Sequence, residues 1–537
     1  MSNSLGSDPS PQLSPPPVDG SVETLLANLW HEIPQAQARI YQLDAPTACQ
    51  ETQLPSGRTL WLKREDQSIV HSYKWRGAYN KMASLIEDGF KGEMVAASAG
   101  NHAQGVALSA SRLGVNATIF MPRTTPLLKQ HSVRKLGGHC VDVRLAGDNY
   151  DQAAAAAKEY LQQSDAKYLH PFDDLKVIAG QATIGMELDS EVAPDLVLLE
   201  IGGGGMASGV AAAIKQRFPT AKLIGVEAEG QNSMQQSIRS GKRMTLPKVN
   251  RFCDGTAVAL PGELTFQLCS HLLDDVWVVD DHDVCTAIEW LWDEIRAVVE
   301  PSAGIGVAAA LAADQSGVID RPEIAAAFTA LGLGKDATIL TVLSGANVDF
   351  LTLPSIARKG RLSLQERRYY RFEIPERSGT LIGLLDQFLS DMNIIDFQYG
   401  KTKSDRAFPV IGIEGPKAEL NEFEKRMELM PLHFKPVTDT ITVEYRLVPF
   451  NLELASHPLF ATIEFPDRPG ALGEFMRQVV GQANVCYFNY TETRQSVGQA
   501  LMGFEFQTLP QRKNFLDSVE AWNIGFREIE TSSISGL

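Results

Sequence analysis

Between residues 58 and 350 the chain alternates short, unbroken apolar runs with alanine-rich stretches whose apolar positions recur at helical spacing. MVAAS leads into AQGVALSASRLG, ATIFMP into LLKQHSVRKLG, and DLVLLEI into ASGVAAAIKQRF; KLIGVEAE follows and TILTVLSG closes the series. A run that is apolar at every position, rather than at every second one, predicts a strand covered on both faces, as in a parallel sheet with helices packed on either side. The pattern therefore predicts α/β architecture. In such sheets ligands bind where the carboxyl ends of strands meet the amino ends of helices, so chemistry is expected in the loops that follow the apolar runs.

The pattern changes after KGRLSLQER, residues 359–367. RYYRFEIPERSGTLIGLLDQFL returns as PLFATIEFPDRPGALGEFMRQV, and one offset of 91 residues relates Gly379 to Gly470, Asn393 to Asn484, and Gly412 in VIGIE to Gly503 in LMGFE. An offset held over that many positions is an internal repeat. Each copy reads strand, turn, helix, strand, turn, strand. Both copies resemble ACT-like regulatory domains, small βαββαβ modules that bind amino acids at paired interfaces; two packing modules without a ligand are the alternative. The expected organisation is a Pro/Ser-rich disordered tail over residues 1–25, a catalytic domain over 26–358, and ACT-like modules over 366–450 and 456–537.

A chain of 537 residues is too long for a single core, in keeping with several domains. Its 44% hydrophobic and 21% charged residues are those of a globular protein, and no apolar run is long enough to span a bilayer. The formal charge of −16 argues against a nucleic-acid or anionic-membrane partner. The six cysteines are scattered, with no C-x-x-C pair, which fits a reducing compartment and gives no support to a structural zinc site. The first twenty residues hold five prolines and neither lysine nor arginine, unlike a secretory signal or an organellar transit peptide, so a cytoplasmic location is expected.

Four loops carry candidate chemistry: HSYKWRGAYNK from His71, SAGNHAQG from Ser98, GGGGMASG from Gly202, and SGAN from Ser344. GGGGMASG follows an apolar run and opens a helix, where backbone N–H groups and the helix dipole suit a phosphate. Without G-K-[ST] it is not a Walker A loop. It does match the dinucleotide spacing Gly202-x-Gly204-x-x-Ala207, with Glu227 standing 25 residues on where a ribose-binding acid would be. Taken alone, the loop is ambiguous between a dehydrogenase and a phosphate-bearing cofactor. SAGNHAQG could hold a substrate carboxylate on its backbone N–H groups, with Asn101 aimed at an oxygen of a flat ligand; His102 reads as a packed helix residue. Lys74, between two aromatic residues, would ordinarily be a solvated surface charge.

In this order and at these intervals, the four loops resemble those of the fold-type II pyridoxal-phosphate enzymes, specifically the serine/threonine dehydratases. The resemblance continues through EPSAGIGVAA, which begins at Glu300, and with the repeated modules it covers nearly the whole chain. It points to the biosynthetic threonine deaminase family. The implied fold is a tryptophan synthase β-like catalytic unit of two subdomains, followed by two α+β ACT-like modules. Lys74, in the family's S-[FY]-K-x-R-G motif, would form the covalent link to pyridoxal 5'-phosphate, its pKa lowered by a desolvated pocket near Arg76. The cofactor phosphate would rest on the amides of Gly202, Gly203, Gly204, Gly205 and Met206, its ring hydroxyl on Asn101 and its pyridine nitrogen on Ser344. Ser98, Ala99, Gly100 and Asn101 would bind the substrate.

A neutral hydroxyl at Ser344 leaves a weaker electron sink than a carboxylate would, which suits an elimination. The implied substrate is L-threonine, with L-serine as a second one, and the implied product is 2-oxobutanoate, on the path to isoleucine. Isoleucine would inhibit, valine would oppose it, and the assembly would be a homotetramer. Serine racemases and catabolic serine dehydratases are the rivals within the fold. Racemases carry a second serine where this chain has Ala99, which has no proton to give. An amino-acid sensor without activity is the alternative of another class. Some relatives hold a cation near the strand that here reads VEAEG, which would make Glu227 a ligand; the expectation is instead a surface carboxylate and no metal.

Overall fold

The computed structural model describes residues 20–363 and, beyond them, 367–375, 389, 392–398, 406–430, 432–438, 440, 443, 457–466, 479, 482–491, 497–522 and 524–530. Residues 1–19 of the expected tail, and the repeat glycines Gly379 and Gly470, lie outside the described residues. The chain divides into two compact units, residues 1–122 with 127–348, and residues 123–126 with 349–537.

The first unit opens with a helix over Gly20–Ile40, so residues 20–25 belong to a helix and not to a disordered tail. Val22, Leu26, Leu29, Ile33, Ala36 and Ile40 recur three or four positions apart and are all buried, one face of an amphipathic helix against the core. That pattern overrides the preceding proline-rich composition.

Ten strands follow in this unit: β1 (Cys49–Gln53), β2 (Thr59–Lys63), β3 (Met94–Ala97), β4 (Ala117–Met121), β5 (Val141–Leu145), β6 (Lys167–Tyr168), β7 (Leu196–Glu200), β8 (Lys222–Ala228), β9 (Asp275–Val279) and β10 (Ile339–Val342). They form two sheets. The larger has the order β1-β2-β10-β7-β8-β9, parallel except for β1, and the smaller has the order β5-β4-β3-β6, parallel throughout. Two sheets in one unit are the two subdomains the resemblance implies. Each apolar run read from the sequence is a strand, and β3, β4 and β7 are buried at every position. Strands β1, β2, β5, β6 and β9 were not among those runs. The edge strand β5, VDVRL, alternates charge with apolar residues because its outer side meets water.

The second unit carries the repeat. Its first copy comprises β11 (Arg367–Pro375), β12 (Asn393–Gln398), β13 (Arg406–Ala407), β14 (Val410–Glu414), a helix over Lys417–Glu428, and β15 (His433–Pro436). The second comprises β16 (Leu459–Pro466), β17 (Asn484–Thr491), β18 (Val497–Glu505), a helix over Leu509–Glu520, and β19 (Gly525–Ile529). Strand orders correspond: β12-β14-β11 with β15 on β11, and β17-β18-β16-β19, all antiparallel. Register corresponds as well. Tyr369 pairs with Gly412 and Phe460 with Gly503, while the bulge between Ile394 and Asp396 recurs between Val485 and Tyr487. A repeated bulge is a repeated backbone event, so the 91-residue offset is structural as well as sequential. Each copy has its own core, around Tyr370, Phe372 and Phe423 in the first and Phe504, Phe515 and Leu459 in the second.

Candidate active site

Lys74 is the first residue of the helix Lys74–Glu87, and four buried charges hold that helix start in place. Arg76 donates to both oxygens of Glu65 at 2.8 Å and pairs with Glu187. Lys63, the last residue of β2, donates to Glu187 at 2.6 Å and to the Thr47 carbonyl at 2.5 Å. All four side chains have no exposed surface. Burial would push the Glu65 carboxyl up, but Arg76 outweighs it and holds the group below its ordinary value. Charges this deep persist only as a closed set.

The loops converge on this helix start. The Tyr73 N–H donates to the Ser344 carbonyl at 3.2 Å, and Ser72 bridges to Gly345. His71, with φ at 55°, lies in the left-handed region and makes the reversal that brings Ser72 and Tyr73 there; its carbonyl accepts from the Ala346 N–H at 2.9 Å. Asn347 donates to the Val70 carbonyl and to Asn101 Oδ1, both at 2.9 Å, so SGAN ties HSYKW to SAGN.

The Lys74 amine donates to the Gly255 carbonyl at 2.7 Å and lies 5.8 Å from the centre of the Tyr73 ring. Burial lowers its pKa, against the opposing pull of Glu300 and Asp254, with Lys129 adding to the decrease. A lysine lowered in this way has a larger neutral fraction to act as nucleophile or base. The expected neighbour is corrected here: the cation that helps is Lys129, because Arg76 is consumed by Glu65 and Glu187. Trp75 is fully buried packing, while Tyr73 is half-buried beside the amine.

The glycine loop follows β7 and opens the helix Gly205–Arg217, with Gly204 at φ +93° in a conformation that favours glycine. A Cβ on Gly203 would fall on the Phe172 ring. Among the described residues no backbone N–H from Gly202 to Met206 donates to a protein acceptor. Five free donors at a helix N-terminus suit a phosphate, and this is the fit a phosphate-bearing cofactor requires.

Asn101 begins the helix Asn101–Leu113, after the half-buried Ser98, Ala99 and Gly100, and its Nδ2 donates to Glu300 Oε1 at 2.7 Å. Ser344 is buried at the end of β10. Burial, helped by Asp254, raises the Glu300 pKa; Asn101 and Lys74 oppose it. Burial would raise Asp254 as well, but Lys129, 2.6 Å away, holds it below its usual value. Glu300, Asp254, Gly255 and Lys129 surround Lys74; the sequence reading named Glu300 only as the start of EPSAGIGVAA, with no role, and the other three not at all. The available signals were weak ones: an acid directly before a helix-opening Pro301, and a turn-forming Asp-Gly pair.

Geometry corrects the expectation for Glu227. Glu227 is fully buried, and its carboxylate accepts from the N–H groups of Met234 at 2.9 Å and Gln235 at 2.8 Å; it is neither on the surface nor open to a ribose. Burial pushes it to about 8. Among the described residues no group of three or more His, Cys, Asp or Glu side chains could hold a metal ion, and no helix is long and apolar enough to cross a membrane. His102 is buried, with Nε2 bonded to the Leu169 carbonyl at 3.1 Å, and burial lowers its pKa to about 4. An unfolded chain takes up this proton below about pH 6.5 while the folded one refuses it down to about pH 4, so stability falls as pH drops through that window, by about 3 kcal/mol at full extent. A His102→Gln variant, which keeps a donor for Leu169, is expected to lose less stability between those pH values; thermal unfolding at stepped pH reads it, and equal slopes would refute it.

Comparison with known proteins agrees with this geometry. Residues 40–345 match the family described as pyridoxal-phosphate dependent enzyme, and residues 358–447 and 455–535 match the C-terminal regulatory domain of threonine dehydratase. The chain is 36% identical over 478 residues to the L-threonine dehydratase biosynthetic IlvA of Burkholderia multivorans, covering 87% of this chain and 91% of that one. It is 34% identical over 479 residues to the Escherichia coli protein of the same name, covering 87% and 89%. Among solved structures it is similar to the processed form of threonine deaminase isoform 2 from Solanum lycopersicum, with a TM-score of 0.55 and 37% identity over 62% of this chain and 88% of that one. Maize serine racemase gives 0.54 and 32% identity, over 60% and 95%. The chain belongs to the family of pyridoxal-phosphate-dependent biosynthetic threonine dehydratases with a C-terminal regulatory domain.

Proposed function

We propose that this enzyme is a threonine ammonia-lyase that converts L-threonine to 2-oxobutanoate and ammonia, the step that commits threonine to isoleucine. The observation that carries the reading is the lowered Lys74 amine beside Glu300, in a site that also presents five unpaired amides from Gly202 to Met206. Those amides would hold the phosphate of pyridoxal phosphate, Asn101 its ring hydroxyl and Ser344 its pyridine nitrogen. When bound, the cofactor withdraws electrons from the substrate α-carbon.

The Ser98–Asn101 amides, at a helix start, hold the threonine carboxylate. Lys74 Nζ takes the α-proton, and the β-hydroxyl leaves with a proton as water. The released 2-aminocrotonate takes up water and gives 2-oxobutanoate and ammonia. A neutral Ser344 hydroxyl would leave the pyridine nitrogen of the bound cofactor unprotonated, which suits an elimination. Ala99 has no proton to return to the opposite face, so racemisation is not supported. Serine differs from threonine by one methyl group and is expected as a second substrate. The free thiols of Cys49, Cys140, Cys253, Cys269 and Cys285 fit a reducing, cytoplasmic setting.

The duplicated regulatory copies support control by amino acids, with isoleucine inhibiting, valine opposing it, and a homotetramer as the assembly. An effector works only by binding two catalytic states unequally. Purified enzyme with pyridoxal phosphate and L-threonine is expected to release 2-oxobutanoate with sigmoidal threonine dependence that isoleucine steepens. No 2-oxobutanoate would sink the activity; identical kinetics with and without isoleucine would sink the regulation alone.

A further inference from the structure

We propose that Gln231, on the turn after β8, is a positioning residue for Lys74. The proposal rests on the reading of Lys74 as the reacting amine. Gln231 is fully buried, and its amide is spent on one loop: Nε2 donates to the carbonyls of Asn250 at 2.8 Å and Cys253 at 3.0 Å, and Oε1 accepts from the Thr256 hydroxyl at 2.8 Å. That loop lies at the centre of the site. The Gly255 carbonyl accepts from the Lys74 amine at 2.7 Å. Thr256 packs on the glycine loop, where a Cβ on Gly202 would lie 2.8 Å from Thr256 Cα, and a Cβ on Gly255 would lie 3.1 Å from Glu300 Oε1.

Residues 250–256 form no helix or strand, so their carbonyls have no ladder to aim them. Gln231 fixes the carbonyls on one side of Gly255 and the hydroxyl on the other. The peptide between them is thereby pinned with its carbonyl toward Lys74. This carbonyl has two effects on the free amine. It holds one N–H and so orients the nitrogen lone pair toward the α-proton, an orientation effect. It also favours the ammonium form over the amine.

The groups that face the amine are Glu300 from the start of the Pro301–Asp314 helix, Asp254 from the loop, Lys129 from the Leu127–Gly137 helix, the Tyr73 ring, and the neutral His102. Gln231's hydrogen bonds go to Asn250, Cys253 and Thr256, so substitution there changes no charge among these groups and reports on the carbonyl.

The test compares wild type, Gln231→Met, which fills the same space without hydrogen bonds, and Thr256→Val, all as holoenzymes. Two readouts are taken from about pH 6 to pH 10: kcat and KM for L-threonine, and the visible absorption of the bound cofactor. In Gln231→Met, kcat is expected to fall about tenfold with KM within about twofold, and the acid limb of kcat to move about half a unit toward lower pH. The cofactor band is expected to change its pH dependence in step. Thr256→Val, which removes one of the three bonds, is expected to move both readouts the same way by less. Profiles that superimpose on the wild type, with kcat lowered only in proportion to protein unfolded, overturn the proposal. Should Gln231→Met not fold, an unshifted Thr256→Val overturns it by itself. A wild type without a Lys74-dependent band would overturn the functional reading and this proposal together, whereas unshifted variants of an active wild type overturn the proposal alone.

Discussion

A Lys74→Ala variant is expected to fold as the parent does and to lose threonine turnover by about 10⁴-fold or more. The side chain makes one hydrogen bond, to the Gly255 carbonyl, and stands at the first position of a helix, where alanine is well tolerated. Folding stability should therefore change little. The other titratable groups near the amine are poor substitutes as a base. His102 is neutral with Nε2 engaged by Leu169, Glu300 is tied to Asn101, and Lys129 is paired with Asp254. The absorption band of the covalent link between Lys74 and pyridoxal phosphate should vanish along with turnover, leaving only that of the unlinked aldehyde when cofactor is in excess. Retention of turnover within about tenfold, or of the band, would displace Lys74 from its role.

An Arg76→Met variant is expected to lose about 3–5 kcal/mol of stability, one of the largest effects of any single substitution in the first unit. The buried set is balanced, with Arg76 and Lys63 against Glu65 and Glu187. Removing Arg76 leaves two buried carboxylates facing one lysine, and Glu65 loses the partner that holds its pKa down. The contribution of Glu65 has a defined pH window. Its folded pKa lies below the unfolded value near 4.5, so its stabilisation is present above that value and is lost as pH falls through the folded pKa. The variant should lack this acid-side loss. Denaturant titration measures both, and adding Glu187→Gln to Arg76→Met should recover part of the deficit by restoring neutrality. A loss under about 1 kcal/mol would mean the four charges are not coupled.

The α/β plan was legible because buried strands announce themselves. LVLLE, ATIFM and MVAA are apolar without a break and flank helical stretches, and each proved a central strand. The edge strand β5 was not, since alternating charge and apolar residues over five positions also fit a loop or a short helix. The same limit applies at the chain's start. The amphipathic spacing from Val22 to Ile40 was present to be read, but the prolines just before it drew the boundary too late.

The repeat is the clearest case of determination by sequence. A constant offset forces like residues onto like positions, and register, bulge and strand order followed it. The loops that hold Lys74, Asn101, Gly202–Met206 and Ser344 were legible as strand-end and helix-start loops, while the roles expected of those residues came from the resemblance to the dehydratases. Arg76 shows where that reading stops. Its place two residues from Lys74 suggested that it acts on the amine, yet on a helix, neighbours that close in sequence point in different directions.

What only the tertiary structure decided is which distant groups surround Lys74. Glu300, Asp254, Gly255 and Lys129 come from segments 55 to 226 residues away along the chain, and ordinary turns and helix starts carry them. Glu227 passed from candidate ligand to helix cap for the same reason, since only the fold sets Met234 and Gln235 above it. Local pattern determines strands, helices and repeats because those depend on neighbours a few residues apart. A pKa or a carbonyl's aim depends on what lies within a few ångströms, and the chain's path through space alone decides that.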